Sequence, residues 1–144
     1  MINARFLAAV IVLASCSNEP VAPSEIFFPT YDADGPQPLA LLDGTLQVED
    51  GCVYVASDGE RWLGLWPNDH RAELEGDRLQ IVDGHGQVLA TEEEPIRVGG
   101  GERRASELGG FSALNEWFAQ IGGTTIPREC GDLTWQVSVI ETDQ

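Results

Sequence analysis

Short apolar runs alternate with turn residues along most of the chain. From Leu39 onward, dipeptides that favour turns recur at short, regular intervals: Asp43-Gly44, Asp50-Gly51, Asp58-Gly59, Asn68-Asp69, Gly76-Asp77 and Asp83-Gly84. Evenly spaced turn signals between short strands are typical of antiparallel β structure. The pattern predicts one mainly β domain over residues 39–144, a small antiparallel β-barrel or meander of about eight short strands. An OB-like Greek-key barrel is the alternative.

The clearest local unit surrounds Asp50-Gly51. A two-residue type I′ turn at Asp-Gly suits the twist of a β-hairpin. With that turn, Val48 is predicted to pair with Val53 and Leu46 with Val55. The hairpin then carries four aliphatic side chains on one face.

Further strands follow from the same alternation. Arg61–Trp66 is almost entirely apolar and predicts a central strand with two buried faces, ended by Pro67, which cannot donate to a ladder. Weaker alternation predicts a hairpin around Asp83–Gly86, whose register the sequence leaves open, and two more strands. Their apolar positions are Leu79, Ile81 and Val88 in the hairpin, Ile96 and Val98 in the next strand, and Leu133, Trp135, Val137 and Val139 in the last.

One segment has helical spacing instead. Apolar residues between Ser112 and Ile121 repeat every three to four positions, which predicts one amphipathic helix with Ser112 as its N-cap and Gly122-Gly123 as its stop. The preceding Gly99–Arg104 stretch is expected to be a flexible connector into this helix.

The N-terminal residues have the pattern of a secretory signal. Arg5 is followed by an unbroken apolar run, Phe6–Ala14, and then by small residues. This run is too short for a transmembrane helix, which needs about 20 apolar residues. Residues 1–15 are therefore predicted to be a signal peptide.

The run ends in Leu13-Ala14-Ser15-Cys16, which resembles the lipobox of bacterial lipoproteins. The resemblance implies diacylglyceryl transfer to the Cys16 thiol, cleavage between Ser15 and Cys16, and attachment to a membrane through lipid such as palmitate. Two or more acyl chains give a stable anchor. Ser17 after the lipidated position implies the periplasmic side of the outer membrane if the cell is Gram-negative.

Residues 16–38 are predicted to be a tether. Five prolines among polar residues favour extended chain over packing. The apolar Ile26-Phe27-Phe28 within this segment is expected to dock on the domain or to form an edge strand.

Charge narrows the set of partners. The chain carries 8 Lys+Arg against 24 Asp+Glu, a net charge of -16, and no lysine. Nucleic acid is not an expected partner, because phosphate binding needs a basic surface. The absence of lysine excludes Schiff-base and P-loop chemistry. A cationic protein or another cell-envelope component is the expected partner, together with the membrane reached through Cys16.

Candidate chemistry is sparse. There is no CxxC or HExxH motif, and the two histidines, His70 and His85, are well separated, so neither a metal site nor a cofactor is predicted. Trp117 and Trp135 follow apolar periodicities and are expected in the core. Tyr54, Trp62 and Trp66 remain as a candidate aromatic platform for a ligand, and no catalytic residue is assigned.

Two cysteines remain once Cys16 carries lipid. Cys52 and Cys130 are predicted to form one intramolecular disulfide, since exported domains mature where thiols oxidise. In the predicted hairpin, Cys52 and Tyr54 lie on the face opposite the aliphatic residues. The helix and the turn around Cys130 are the available cover for that face.

These observations favour a membrane-anchored, non-enzymatic binding or interaction module of the cell envelope. The alternative is an inhibitor of a cationic secreted enzyme. In outline, as a small lipidated β-barrel with a disulfide, the chain resembles some bacterial lysozyme inhibitors, and its acidic charge suits a basic target. A hydrolase is the third reading.

Overall fold

The computed structural model describes residues 25–142 and confirms a mainly β fold. Nine strands within these residues form two sheets. They are β1 Thr30–Tyr31, β2 Ala40–Glu49, β3 Cys52–Ser57, β4 Glu60–Pro67, β5 Arg71–Glu75, β6 Arg78–Val82, β7 Val88–Thr91, β8 Pro95–Arg104 and β9 Leu133–Glu141. Helices α1 Ala105–Leu108 and α2 Phe111–Gln120 follow β8, and a 3₁₀ turn spans Arg128–Cys130. The predicted signal peptide and Cys16 lie outside the described residues.

Five of the strands pair into a closed ring. The order around it is β2-β3-β4-β9-β8, and β8 pairs again with β2. Every pairing in the ring is antiparallel except that of β4 with β9, where Leu63 lies opposite Thr134. Because β8 returns to pair with β2 after the consecutive strands β2, β3 and β4, the ring has a Greek-key order. The sheet is therefore barrel-like, with one parallel pair.

Strand β4 occupies the centre of this arrangement, as its apolar sequence predicts. One of its edges pairs with β3, and the other is shared by β9 and by the two-residue β1. Trp62 and Trp66 contribute to the core inside the ring, whereas Leu63 and Leu65 contribute to a second core outside it. Side chains alternate between the two faces of a strand, and each face of β4 packs in one of these two cores. Both faces of β4 are therefore buried.

The hairpin of β2 and β3 has the predicted register. Leu46 lies opposite Val55 and Val48 opposite Val53. Asp50 and Gly51 have φ values of 51° and 78°, the positive pair that a type I′ turn requires. The local sequence was sufficient here because the turn type fixes which residues face each other.

The second sheet, called here the hairpin sheet, consists of β5, β6 and β7. Its register shifts between Ile81 and Val82, a β-bulge that the sequence did not reveal. In the β6–β7 turn, the Asp83 carboxylate accepts the backbone N–H groups of His85 and Gln87 at 2.8 and 3.0 Å. These bonds, that of Gln87 foremost, lower the pKa of Asp83.

The prediction of a flexible connector at Gly99–Arg104 is wrong. Strand β8 continues through these residues, and its three glycines are buried between β2 and β9. At Gly100, with φ of 152°, a Cβ atom would lie 1.9 Å from the carbonyl oxygen of Gln136. Glycine here permits close strand approach rather than flexibility.

The last strand also differs from its predicted pattern. Leu133, Trp135, Val137 and Val139 do lie in β9, but Val139 is 49% exposed and Ile140 faces inward. The cause is a bulge: Gly99 pairs with Val139 and Gly100 with Val137, so Ser138 is an extra residue. One extra residue moves the following side chains to the opposite faces.

The predicted helix exists, but its N-cap was misplaced. Helix α2 begins at Phe111, one residue before Ser112, and its N-cap is Gly110, with φ of 124°. Ser112 lies in the first turn and is exposed. Leu114 and Phe118 are the fully buried residues of the helix, while Trp117 is only partly buried.

Residues 25–38, which the sequence assigns to the tether, pack on the domain. The ring of Phe28 stacks on Trp66 with centroids 5.3 Å apart. Tyr31 is buried, and its hydroxyl donates to the carbonyl oxygen of Val137 at 2.5 Å. The apolar run around Phe28 therefore docks on the β domain, which was one of the two predicted outcomes. The residues at 32–38 that follow are exposed or partly exposed.

Two hydrophobic cores result. The ring core contains buried residues from all five ring strands and from the hairpin sheet, including Trp62, Trp66, Trp135, Leu79 and Ile81. The helix-side core lies on the outer face of β3 and β4, where α1, α2 and the segment up to the 3₁₀ turn cover it; its members include Tyr31, Tyr54, Leu63, Phe118 and Ile126.

Candidate functional site

The three aromatic residues predicted as a ligand platform do not share an exposed surface. Tyr54, Trp62 and Trp66 are 5%, 8% and 0% exposed. The two tryptophans point into the ring core, while Tyr54 lies in the helix-side core, so a strand separates them. Each of the three side chains lies on a strand face that another part of the domain covers, so they belong to the hydrophobic cores.

The predicted disulfide is confirmed. Cys52 and Cys130 are bonded, with Cα atoms 5.6 Å apart, and both are buried in the helix-side core. The hydroxyl of Tyr54 donates to the carbonyl oxygen of Cys130 at 3.1 Å. Above Tyr54 lies the guanidinium of Arg61, 4.6 Å from the ring centroid. The bond joins β3 to the 3₁₀ turn and so fixes the helical cover on the sheet.

A cleft with apolar walls lies at the opposite side of the β2–β3 hairpin from the disulfide. Its volume is about 270 Å³, and its apolar walls are Ile26, Val48, Leu74 and Leu79. We call it the apolar cleft. Four separate segments build it: the N-terminal segment, the β2–β3 hairpin at Gly51, the β5–β6 hairpin at Gly76, and Glu92 in the turn after β7. The N–H of Phe27 donates to the carbonyl oxygen of Gly51 at 2.7 Å and holds the first wall in place.

Carboxylates surround the mouth of the apolar cleft. Asp77 and Glu92 line it, and Asp50 precedes Gly51 in the turn that forms one wall. Within residues 25–142, neither Asp77 nor Glu92 forms an ion pair. Arg78 is close by, and it donates to the backbone carbonyl of Glu92 at 2.6 Å. The cleft thus combines apolar walls with an excess of negative charge at its rim.

A larger cleft, of about 490 Å³, has a mostly polar lining and lies between the outer face of the ring and β7. At its edge Arg97 donates to both carboxylate oxygens of Asp43, at 2.5 and 3.1 Å. The Arg97 guanidinium lowers the pKa of Asp43. Glu141 lies 3.8 Å from the same guanidinium. Because this arginine is already engaged by carboxylates, the polar cleft is a poorer anion site than its size suggests.

Other chemistry remains weak in the part of the chain that the structure describes. No group of three or more His, Cys, Asp or Glu residues there is placed to hold a metal ion. Nδ1 of His70, whose side chain is only 11% exposed, lies 2.7 Å from the carboxylate of the exposed Asp69. Among the same residues, none of the helices has the length and apolar character needed to cross a membrane.

Ligand sites in proteins combine apolar walls with a few convergent polar groups. The apolar cleft meets that description best, and sequence reasoning missed it. Its walls come from residues up to 66 positions apart, Ile26 and Glu92. The available signal was the apolar Leu74 and Leu79 on both sides of the Gly76-Asp77 turn, but which distant turns meet there depends on the topology.

No protein-family model, curated protein or solved structure matches this chain.

Proposed function

We propose that the protein is an exported lipoprotein, anchored through Cys16, whose β domain is a binding module of the cell envelope. The observation that carries this proposal is the buried Cys52–Cys130 disulfide in a domain that follows a lipobox-like sequence. Structural disulfides form and persist in oxidising compartments and are rare in the cytosol. After cleavage before Cys16 the chain would have 7 basic and 24 acidic residues, a net charge of -17, because Arg5 is the only charged side chain removed.

The apolar cleft supports the binding part of the proposal. It is a preformed concave surface with a hydrophobic interior and a polar rim, which is the usual anatomy of a recognition site. No nucleophile, base and orienting group come together at its walls, which are aliphatic with two glycines, Asp77 and Glu92. Binding is therefore better supported than hydrolysis.

Replacing Cys16 with alanine tests the anchor. We expect the wild-type chain to incorporate labelled palmitate and to fractionate with membranes, and Cys16→Ala to lose the label and accumulate as uncleaved precursor or soluble protein. Ser17→Ala is the matched control and should keep both the label and the membrane association. Membrane association of Cys16→Ala equal to that of wild type, with no lipid on the wild-type peptide, would contradict the proposal.

A second candidate function is inhibition of a cationic secreted enzyme. The acidic rim of the apolar cleft favours it, since opposite charge accelerates and orients association. Hen egg-white lysozyme is a suitable basic probe. Inhibition that is strong at low ionic strength and lost at high salt would support this reading, and no inhibition of basic hydrolases under either condition would remove it.

A further inference from the structure

We propose that the apolar cleft binds an aliphatic side chain of a basic polypeptide, whose neighbouring arginine or lysine residues meet the carboxylates of the rim. This inference rests on the proposed binding function and names the class of its partner.

The size and lining of the cleft suit a side chain. Its volume of about 270 Å³ is below the range of about 300–1,000 Å³ that drug-sized ligands occupy. Leu79 is fully buried, whereas Ile26, Val48 and Leu74 are only partly buried, so apolar surface remains accessible at the walls. Burying a leucine-sized group against these walls removes apolar area from water on both partners.

Charge selects the rest of the partner. The lining presents Asp77 and Glu92, and Asp50 precedes the lining residue Gly51. The contact of Arg78 with the Glu92 carbonyl uses part of the donor capacity of Arg78. The whole chain has a net charge of -16, so its field attracts a cation from a distance as well as at the rim. An aliphatic residue with basic neighbours matches both the walls and the rim.

The same charges disfavour the other occupants. A second copy of the chain would bring two acidic rims together, and like charges in an interface are unfavourable. Residues 17–24 of the chain, which precede the cleft wall at Ile26, carry Glu19 and no basic residue. An anionic membrane surface would be repelled for the same reason.

The test uses the full-length oxidised chain in a nonionic detergent and two synthetic peptides. One peptide has a leucine between two arginines on each side, and the other has serine in place of the leucine. At low ionic strength we expect the leucine peptide to bind about tenfold more tightly by calorimetry, because only leucine gains from burial in the cleft. Amide shifts in its NMR titration should concentrate at Gly51, Gly76 and Leu79.

Two variants locate the site. Val48→Phe fills the cleft and should abolish the difference between the peptides, while Val88→Phe, at a position 45% exposed and outside the cleft, should preserve it. Asp77→Asn, at an exposed turn where folding is not at risk, should weaken both peptides at low salt and have little effect at high salt. Asp58→Asn, in the β3–β4 turn, is its control.

Several outcomes would overturn the inference. The first is equal affinity for the leucine and serine peptides, and the second is binding that neither Val48→Phe nor Asp77→Asn changes. The third is tighter binding of a peptide of residues 17–24 than of the basic leucine peptide. The fourth is a dimer in sedimentation that Val48→Phe dissociates. Failure here with intact labelling at Cys16 removes the cleft proposal alone. Intact peptide binding without lipid at Cys16 removes the anchor alone.

Discussion

The ring of five strands is covered in two places, and the two covers are attached by different means. On the outer face of β3 and β4, the helices bury Ala105, Leu114 and Phe118 in the helix-side core, and a disulfide joins that cover to β3. The hairpin sheet instead contributes Leu79, Ile81 and Ala90 to the ring core itself. The turn that follows β7 is tied to β2: the N–H of Glu93 donates to the carbonyl oxygen of Leu46 at 2.7 Å, and the N–H of Leu46 donates to that of Glu94 at 3.2 Å.

The two covers therefore differ in whether they share the core of the ring. The hairpin sheet shares a continuous core with the ring, so hydrophobic burial is enough to hold it. The helical cover buries Leu114, Phe118 and Ile126 in a core of its own, separate from the ring core, and the disulfide adds a covalent attachment to that burial. The apolar cleft lies between the N-terminal segment, the β2–β3 turn and the hairpin sheet, and none of its lining residues belongs to the helical cover.

The largest expected effect comes from removing the disulfide. Cys52→Ala with Cys130→Ala should lower the free energy of unfolding by about 2–5 kcal/mol, since the bond closes a loop of 78 residues. Urea denaturation measures the loss, and hydrogen exchange should show weaker protection in α2 than in β6. The Cys16→Ala variant, which leaves this bond intact, is the control. Equal loss of protection in both covers would mean that the disulfide does not act locally.

Truncating a buried residue of the hairpin sheet should cost slightly less. Ile81→Ala leaves a cavity in the ring core and should destabilise by about 3 kcal/mol. Val88→Ala, at an exposed position of the same sheet, should change stability by less than about 0.5 kcal/mol. If Ile81→Ala behaves like Val88→Ala in urea, the hairpin sheet is not held by burial and the contrast between the covers fails.

Alkaline pH should affect the helix-side core and spare the ring core. Both tyrosines of the chain, Tyr31 and Tyr54, lie in the former, and burial raises the pKa of each hydroxyl. A raised pKa means that the folded state holds its proton more tightly than the unfolded state, so this stability is complete below about pH 10 and is lost as pH rises through the folded pKa. The ring core contains no ionisable side chain.

Absorbance at 295 nm checks this expectation. Tyrosinate should form only above the usual pH and together with the loss of helical circular dichroism. Tyr31→Phe should leave a single titrating group. A tyrosine that ionises at its ordinary pH in the folded protein would show that the helix-side core admits water.

The smallest effect is expected at the edge of the polar cleft. Arg97 lowers the pKa of Asp43, so the Asp43 carboxyl in wild-type protein should titrate below its usual range by NMR. Arg97→Gln should return that titration toward its ordinary pH with little change in melting temperature, because the pair is exposed. The stability that the Arg97–Asp43 pair adds is present above the pKa of Asp43 in the unfolded chain, and it is lost as the pH falls through the lower pKa of Asp43 in the folded protein. A large drop in melting temperature would show that the pair braces β2 against β8.

Local sequence rules predicted the parts of this fold that local interactions decide. The Asp50-Gly51 turn sets its own register, and Trp62–Trp66 carries its two-sided burial in its composition. The disulfide was predictable because only one pairing remained. The glycine run was not, since the burial of Gly100 depends on β9, which approaches it from a distant part of the chain.

The candidate site lay beyond such rules for the same reason. Ile26 and Leu74 belong to segments whose sequences show no relation. They meet because the N-terminal segment bonds to Gly51 and the hairpin sheet packs on the ring core. The prediction of a ligand platform at Tyr54, Trp62 and Trp66 was wrong because all three side chains are buried. The sequence of a strand does not indicate whether another element covers the face that carries its aromatic residues. Predicting the cleft would have required the strand order first.

The parallel pairing of β4 with β9 also sets the order of events during folding. Leu63 and Thr134 lie opposite each other on these adjacent strands although about 70 residues separate them in sequence. Strand β8 pairs with β2 on one edge and has a partner on its other edge only when β9 is present. Contacts of such sequence separation slow folding, because the intervening chain must be ordered before they form. Until β9 is in place, β8 and the Leu63–Leu65 part of β4 expose unpaired edges, so the folding chain depends on this strand to end its exposure to aggregation.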